Sequence, residues 1–323
     1  MSKHFLSLAV AGLALVTVVP APAQDKLDRP VRILVGFAAG GTADLMARLV
    51  ADKMKDTIGQ TVIVENRPGA AGRVAADAVK AAPADGTTLM VMPIGPMAVV
   101  PHTTKLLSFD PLKDFAPIGI GSTFDFAVAV GPQSSAKTWG EYVTWAKANS
   151  SKSSYATSGA GSLPHFFGVQ IGREAGMEML HVAYKGSAAY MNDLIGGQVP
   201  AAIDTVADLS EMHKAGRVRI LATSGPQRST VVPEVPTLTE LGFKNLETGG
   251  WFGFFAHVNT PPAMVQTLNR HLNQALRSPD VVAKLRGVGM EPATSTPDEF
   301  GRRLAADYAR WGAVVKATGF TID

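Results

Sequence analysis

The sequence contains no cysteine among its 323 residues, which excludes disulfides, thiolate nucleophiles, iron–sulfur ligands and a lipid-anchored N-terminal cysteine. Aromatic residues are scarce, at 7%, whereas the 32 glycines are typical of helices packed closely on sheets. The formal net charge is only +3, which is too small for a nucleic-acid surface. Because 46% of the residues are hydrophobic and 18% are charged, the chain can bury the core of two compact domains.

The sequence also lacks the motifs of common enzyme classes. It has no G-x-G-x-x-G dinucleotide motif, no G-x-x-x-x-G-K-[ST] phosphate loop and no G-x-S-x-G nucleophile elbow. Its seven histidines show no paired spacing that suits a metal ion. We therefore expect a binding protein without catalysis, cofactor or metal. An extracytoplasmic hydrolase or isomerase built on His165 and Asp204 is the alternative.

The N-terminus has the three parts of a secretory signal peptide. Lys3 and His4 precede an apolar run at residues 5–19, and small residues follow up to Ala23. The run is shorter than the roughly 20 residues that a membrane-spanning helix needs. We expect residues 1–23 to be a signal peptide cleaved near Ala23, and the mature protein to be exported to the periplasm.

After residue 24 the chain alternates apolar runs typical of strands with segments of helical periodicity. The clearest strand candidates are residues 31–35, 62–64, 89–92, 155–157, 179–182, 199–203 and 220–222. Residues 115–119 and 126–130 are two further candidates, separated by a segment rich in Gly, Ser and Thr. This alternation predicts an α/β protein with parallel sheets that carry helices on both faces.

The chain is too long for one such sheet, so the sequence predicts two lobes, each with a mostly parallel, doubly wound sheet. We place lobe one at residues 25–127 and 227–323, and lobe two at residues 128–226. Ligands of such folds bind beyond the carboxyl ends of the strands. Two lobes that face each other form a cleft at that place.

Three segments between a strand and a helix are rich in small residues. They are the first loop (37–42), the second loop (158–162) and the third loop (184–187). Gly and Ala let backbone N–H groups approach a ligand, and the start of a helix carries roughly +0.5 charge that attracts anions. Three such loops, drawn from both lobes, favour an anion site between the lobes. Asp44 is expected to complement a helix N-terminus, with Thr42 as the N-cap.

Several segments resemble the Bug family, the periplasmic solute-binding proteins of tripartite tricarboxylate transporters. They include VRILVGFAAGGTAD at 31–44, GQTVIVENRPGAAG at 59–72, YKGSA at 184–188 and WFGFFA at 251–256. The likeness runs in order through essentially the whole mature chain, and the combination of ENRPG with YKG is specific. It implies a two-lobed fold of the type II periplasmic-binding-protein kind, which closes on its ligand as a flytrap.

The resemblance also implies the ligand and its contacts. A small aliphatic or aromatic carboxylate would be held by backbone groups of the cleft loops and delivered to membrane permease subunits, or sensed by a signalling partner. We expect a monomer that binds no nucleic acid, with Phe37, Phe126 and Phe166 as apolar walls. Carried over by position, the ligand-binding residues are Phe37, Ala39, Gly40, Gly41, Thr42, Ile94, Gly95, Ser158, Gly159, Ala160, Gly161, Ser162, His165, Tyr184 and Asp204.

Overall fold

The computed structural model of the protein describes residues 27–37, 39–69, 72–184 and 186–322. The predicted signal peptide and its cleavage site lie outside these residues. Within the described ranges, no helix combines the length and the apolar character that crossing a membrane requires.

Strands and helices alternate along most of the described chain. The strands are β1 (Val31–Val35), β2 (Val62–Asn66), β3 (Thr88–Pro93), β4 (Phe115–Val130), β5 (Ser154–Thr157), β6 (Leu180–Ala183), β7 (Ala201–Thr205), β8 (Arg219–Thr223), β9 (Gly249–His257) and β10 (Met290–Pro292). The α-helices are α1 (Thr42–Ile58), α2 (Arg73–Lys80), α3 (Trp139–Ala148), α4 (Leu163–Ala175), α5 (Ser187–Ile195), α6 (Val206–Lys214), α7 (Pro262–Leu276), α8 (Pro279–Gly287) and α9 (Pro297–Thr318).

One long strand, β4, belongs to both lobes. Its residues 115–125 pair with β9 in a first sheet, in which the strand order is β2-β1-β3-β9-β4-β10. Its residues 126–130 pair with β7 and β8 in a second sheet, in which β7, β5 and β6 follow one another. The predicted α/β fold with two lobes is confirmed, and the chain passes from one lobe to the other within a single strand.

The sheets are mixed rather than mostly parallel, which corrects the prediction in this respect. β1 is parallel to β2 and β3, and β5 is parallel to β6 and β7. However, every pairing of β4, with β7, β8, β9 and β10, is antiparallel. Apolar periodicity shows that a segment is a strand but carries no information on its direction, so this feature could not be predicted.

β4 is continuous where the sequence predicted two strands. The Gly, Ser and Thr residues near its middle resemble a turn, but they lie within the strand at two register shifts. A Cβ atom built on Gly121 would lie 2.7 Å from Sδ of Met46, and one on Gly119 would lie 3.1 Å from Cδ2 of Leu272. These glycines therefore allow α1 and α7 to pack closely on the strand.

The segment between β8 and β9 packs on the second lobe. Val232 and Val235 lie in one buried cluster with Leu209 and Ile220. These contacts favour a return of the chain to the first lobe close to the start of β9. The bounds of the two lobes stay a prediction.

Both faces of β1 are buried, and this packing fixes the position of the strand. Val31, Ile33 and Val35 are buried in one cluster with Met46 of α1, whereas Leu34 is buried in the cluster on the opposite face. This arrangement follows because side chains alternate between the two faces of a strand. The carboxyl end of β1 is thereby held rigidly, and the first loop begins there.

Candidate functional site

The loops that follow parallel strands lie at one edge of each sheet. Since β5 is parallel to both β6 and β7, the carboxyl ends of these three strands are neighbours. The backbone N–H of Gly186 donates to the carbonyl oxygen of Ser158 at 3.0 Å, which joins the third loop to the second. The structure thus brings these two predicted loops together in the second lobe.

The first loop is held by Asp44 of α1. The Asp44 carboxylate accepts hydrogen bonds from the Gly40 N–H at 2.9 Å, from Asn66 Nδ2 at 2.9 Å and from Arg48 Nε at 3.0 Å. Asn66 Nδ2 also donates to the carbonyl oxygen of Phe37 at 3.2 Å. Burial disfavours the charged carboxylate, but the hydrogen bonds from Arg48, Gly40 and Asn66 outweigh it and lower the pKa of Asp44. Asp44 lies in the first turn of α1, where it was expected to complement the helix N-terminus, and it is in addition a positioning residue for the first loop.

The N-terminus of α1 has no side-chain cap. Its N-cap residue is Gly41, and Thr42 is the first helical residue, which corrects the expected cap at Thr42. Gly40 has φ +86°, and a Cβ atom built on it would meet nothing within 4 Å. The unpaired N–H groups of a helix start, with open space before them, form an arrangement that binds anions.

The second loop is fixed by its own side chains. The His165 N–H donates to Ser162 Oγ at 3.4 Å, and Ser162 Oγ donates to the carbonyl oxygen of Gly159 at 2.7 Å. The Gly161 N–H donates to Nδ1 of His165 at 3.1 Å, and the ring of His165 stacks on that of His181 at 3.8 Å. Burial lowers the pKa of His165, so the imidazole stays neutral and keeps Nδ1 as an acceptor.

The C-terminal segment covers one side of the second loop. A Cβ atom built on Gly161 would lie 3.1 Å from Phe320 and 3.3 Å from Ile322. On the other side, a Cβ atom on Gly159 would meet nothing within 4 Å, and Ala160 is exposed. The open part of this loop is its first half.

Tyr184 of the third loop is held by its own helix. Its hydroxyl donates to Asp193 Oδ2 at 2.7 Å, and its ring packs edge-on against Tyr190 with centroids 6.2 Å apart. Burial, and then the contact with Asp193, raise the pKa of the Tyr184 hydroxyl to about 12. The hydroxyl is thus engaged within the lobe, and the contact of Tyr184 with a ligand stays a prediction.

Asp204 is buried near the carboxyl end of β7 in the second lobe. Its side chain is 3% exposed; Oδ1 accepts the N–H of Thr205 at 2.9 Å, and Oδ2 has no hydrogen-bond partner among the described residues. Burial and the nearby Asp208 raise the pKa of Asp204, against the effect of Thr205, Ser158 and Tyr190. Burial of an acid is costly, which is why the pKa of Asp204 is raised, and contact of Asp204 with a ligand stays a prediction.

A cavity of about 400 Å³ joins the two lobes. It is bounded on one side by the first loop and on the other by the residues where β7 leads into α6. Apolar walls from β4, β9 and β10 close it. The lining residues are Gly40, Gly41, Thr42, Phe124, Thr205, Ala207, Asp208, Phe252 and Met290.

Some predicted site residues lie in the core. Phe126 and Phe166 are 1% and 0% exposed, so they cannot form walls of the cleft, and that expectation is wrong. The Ile94 side chain, 1% exposed, is buried in the same cluster as Met97, so only its backbone could reach a ligand. Gly95 begins a π-helical turn, and a Cβ atom on it would meet nothing within 4 Å.

The aromatic walls of the cavity were missed by the sequence reasoning. They are Phe124 and Phe252, whose ring centroids are 5.2 Å apart. These side chains come from β4 and β9. The two strands are antiparallel, and Ser122 of β4 is paired with Phe252 of β9. Strand periodicity predicts that such residues are apolar, but only the pairing places them against the first loop.

The chemistry of the site suits an anion better than a metal. No group of three or more His, Asp or Glu side chains in the described ranges could hold a metal ion. The cavity offers backbone N–H groups at the start of α1, the hydroxyl of Thr42 and aromatic walls, with the carboxylate of Asp208 on its other side. These groups can orient a small acid without any change to its covalent bonds.

Comparison with known proteins agrees with this geometry. Residues 46–320 match the family described as tripartite tricarboxylate transporter family receptor. Protein BugT of Bordetella pertussis is 32% identical, over 97% of this chain and 95% of its own. Rpa4515 of R. palustris, solved with adipate, is 31% identical with TM-score 0.79 and covers 91% of this chain and 98% of its own. MatC of Rhodopseudomonas palustris, solved with bound malate, is 28% identical with TM-score 0.75 and covers 89% of this chain and 99% of its own.

Proposed function

Because this chain belongs to the tripartite tricarboxylate transporter receptor family, which includes the Bug solute-binding proteins, we propose that it is a periplasmic receptor for a small carboxylate. The carboxylate enters the cleft between the lobes and is then delivered to the permease subunits of a tripartite transporter. The observation that carries this proposal is the interlobe cavity at the uncapped start of α1. Adipate and malate in two similar proteins support the same ligand class.

Binding is driven by backbone donors that the lobes shield from water. Each charge-assisted hydrogen bond to the carboxylate contributes roughly 1.5–3 kcal/mol. Asp44 holds Gly40 and so prepares the first loop before the ligand arrives. Phe124 and Phe252 contact the apolar part of the acid. Closure of the lobes strengthens the hydrogen bonds because it removes competing water.

In this proposal the ligand is released from the protein without any chemical change. The two residues of the enzyme alternative have other partners in the structure: Nδ1 of His165 accepts the Gly161 N–H, and Oδ1 of Asp204 accepts the Thr205 N–H. Incubation of the protein with a bound acid, followed by mass spectrometry, tests this point. Recovery of the same acid is expected, and accumulation of a product would favour an enzyme.

A thermal-shift screen over monocarboxylates, dicarboxylates and amino acids tests the ligand class. A ligand that binds only the folded state raises its stability by about 2.7 kcal/mol at 100 times its dissociation constant. We expect at least one acid to raise the melting temperature, and isothermal titration calorimetry to give one site. If neutral solutes alone raise it, the carboxylate proposal is wrong.

Gly41 offers a sharp variant for the same experiment. Its φ of −79° suits any residue, and Asp is a good N-cap, so Gly41→Asp should fold at least as well as the wild type. Its carboxylate would take the N–H donors of α1 and repel an acid, so binding should be lost. Gly41→Asn is the matched control because it takes the same donors without the charge, and it should bind more weakly than wild type but better than Gly41→Asp.

Delivery to a permease is tested by co-purification. The receptor, loaded with its acid or free, is incubated with membranes that contain the permease subunits of its own transporter. Retention of the loaded receptor alone is expected for transport. Retention by a sensor kinase instead would favour the signalling alternative.

A further inference from the structure

The two sides of the cavity differ in charge. Among the residues that the structure describes, its lining contains one acidic side chain, Asp208, and no Lys, Arg or His. Asp44, the acid in the first turn of α1, forms an ion pair with Arg48 at 3.0 Å. Asp208 takes part in no ion pair among those formed by the described residues. Within the described ranges, its charge is therefore balanced by no side chain of opposite sign.

The two helix starts that face each other across the cavity also differ. The start of α1 has glycine as N-cap and lacks a side-chain cap, whereas Thr205 caps α6 by accepting the N–H of Asp208 at 3.1 Å. The Asp208 carboxylate accepts hydrogen bonds from Thr205 Oγ1 at 2.6 Å and from Ser187 Oγ at 3.3 Å. Each helix has an acid in its first turn, but Asp44 of α1 is buried and paired with Arg48, whereas Asp208 of α6 lines the cavity.

A buried acid lies behind Asp208. Asp204 is 3% exposed, and the proximity of Asp208 is one cause of its raised pKa. Any negative group brought to this side of the cavity would meet the field of Asp208, and of Asp204 where it is ionised. A positive group would meet an exposed carboxylate with free acceptor capacity, since ionised carboxylates accept up to about four hydrogen bonds.

From this polarity, and resting on the proposed function, we infer that Asp208 determines specificity for a zwitterion. The carboxylate of the ligand binds at the start of α1, and an amino group at its other end binds Asp208. Phe124, Phe252 and Met290 line the same cavity and suit a chain of methylene groups. The preferred ligand class is therefore the amino acids with separated charges rather than the dicarboxylates.

Calorimetric titration with ligands of matched length tests this inference. The pairs are γ-aminobutyrate with succinate, δ-aminovalerate with glutarate, and ε-aminocaproate with adipate; butyrate, valerate and caproate serve as acids without a second charge. For the length that binds best, we expect the amino acid to bind at least about tenfold more tightly than the dicarboxylate and the plain acid. A dicarboxylate that binds as tightly in the wild-type protein overturns the inference.

Asp208→Asn tests the residue itself. Asparagine keeps one acceptor oxygen, which can still accept the shorter hydrogen bond from Thr205, and Thr205 still accepts the N–H of residue 208, so the start of α6 should remain intact. The variant should lose at least about tenfold in affinity for the amino acid and gain affinity for the dicarboxylate. Glu211→Gln, which removes the same charge from an exposed position of α6 outside the cavity lining, should leave both affinities unchanged.

The results separate this inference from the proposed function. If acids bind but Asp208→Asn leaves the preference between amino acid and dicarboxylate unchanged, Asp208 has no such role and the receptor proposal stands. If no acid of any kind binds the wild-type protein, the receptor proposal itself fails.

Discussion

The carboxylate of Asp44 in the first turn of α1 accepts the backbone N–H of Gly40, at 2.9 Å, in the loop that precedes the helix. A helix thus fixes the conformation of its own entry loop. Asn66 joins the same network from the end of β2, with its Nδ2 atom 2.9 Å from Asp44 Oδ1. The loop that borders the cavity is therefore supported from two elements before any ligand binds.

Asp44→Asn should weaken this support. The amide carries no charge for Arg48 and accepts fewer hydrogen bonds, so we expect the free energy of unfolding to fall by about 1–3 kcal/mol. Ligand affinity should fall roughly tenfold, which corresponds to about 1.4 kcal/mol. Urea unfolding and calorimetric titration measure the two effects. Asp56→Asn, at an exposed position of the same helix, should change neither; equal effects in both variants would show that Asp44 has no special role.

Protonation of the stacked histidines should make stability depend on pH. Burial, together with the neighbouring His165, lowers the pKa of His181 to about 4, below the 6.5 of an unfolded histidine. Unfolding therefore takes up a proton between these values, and the free energy of unfolding falls as the pH decreases from 6.5 to 4. The loss attributable to His181 is at most about 3 kcal/mol.

Urea unfolding at several pH values between 7 and 4 measures this dependence. His181→Gln removes the titrating group, and its amide can still hydrogen-bond Thr157, which lies 2.8 Å from Nε2 of the histidine. The variant should show a smaller loss of stability over this pH range than the wild type. Parallel curves for the two proteins would mean that His181 does not titrate as its burial implies.

Gly250 controls the position of an aromatic wall of the cavity. A Cβ atom on it would lie 2.0 Å from Cζ of Phe124, so Gly250→Ala must displace that ring. We expect a loss of about 1–3 kcal/mol in the free energy of unfolding and weaker ligand binding. Gly140→Ala, in α3 with open space around its Cβ position, should instead be neutral or stabilising. Wild-type stability and affinity in Gly250→Ala would contradict this account of Phe124.

The sequence predicted the elements of this fold better than their arrangement. The strand at 31–35 and the loop after it follow from apolar runs and small residues, which are local signals. The continuity of β4 could not be predicted from local signals, because Gly121 makes room for Met46 of α1 and does not form a turn. β9 runs antiparallel to β3. This direction depends on the path of the chain between distant segments, and the periodicity of apolar residues carries no information about that path.

In the site, too, local features could be predicted and contacts between distant segments could not. The place of the first loop at the cavity could be predicted, because glycine-rich strand-to-helix connections have a physical reason for binding anions. Contact of the second loop with a ligand stays a prediction. The positions of Phe124, Phe252 and Asp208 in the cavity could not be predicted, because the cavity is formed by elements that are far apart in the chain. Phe126 illustrates the error: it lies two residues from Phe124, yet it is buried in the core.

The C-terminal segment contacts both lobes. The ring of Phe320 lies 5.2 Å from that of His165 and 5.6 Å from that of Phe166 in the second lobe, whereas the N–H of Ile322 donates to the carbonyl oxygen of Thr103 in the first lobe at 2.7 Å. Phe320→Ala should therefore expose His165 to water. The pKa of His165 should rise towards 6.5, since burial is what lowers it.

Two measurements check this role of Phe320. Histidine titration by nuclear magnetic resonance should report the higher pKa, and hydrogen exchange should be faster at Gly161, whose N–H depends on neutral His165 as its acceptor. Leu106→Ala, which removes an apolar side chain that is 73% exposed, is the control and should alter neither. If the titration and exchange in Phe320→Ala match the wild type, the C-terminal segment does not support the second loop, and the rigidity of that loop comes from Ser162 and His165 alone.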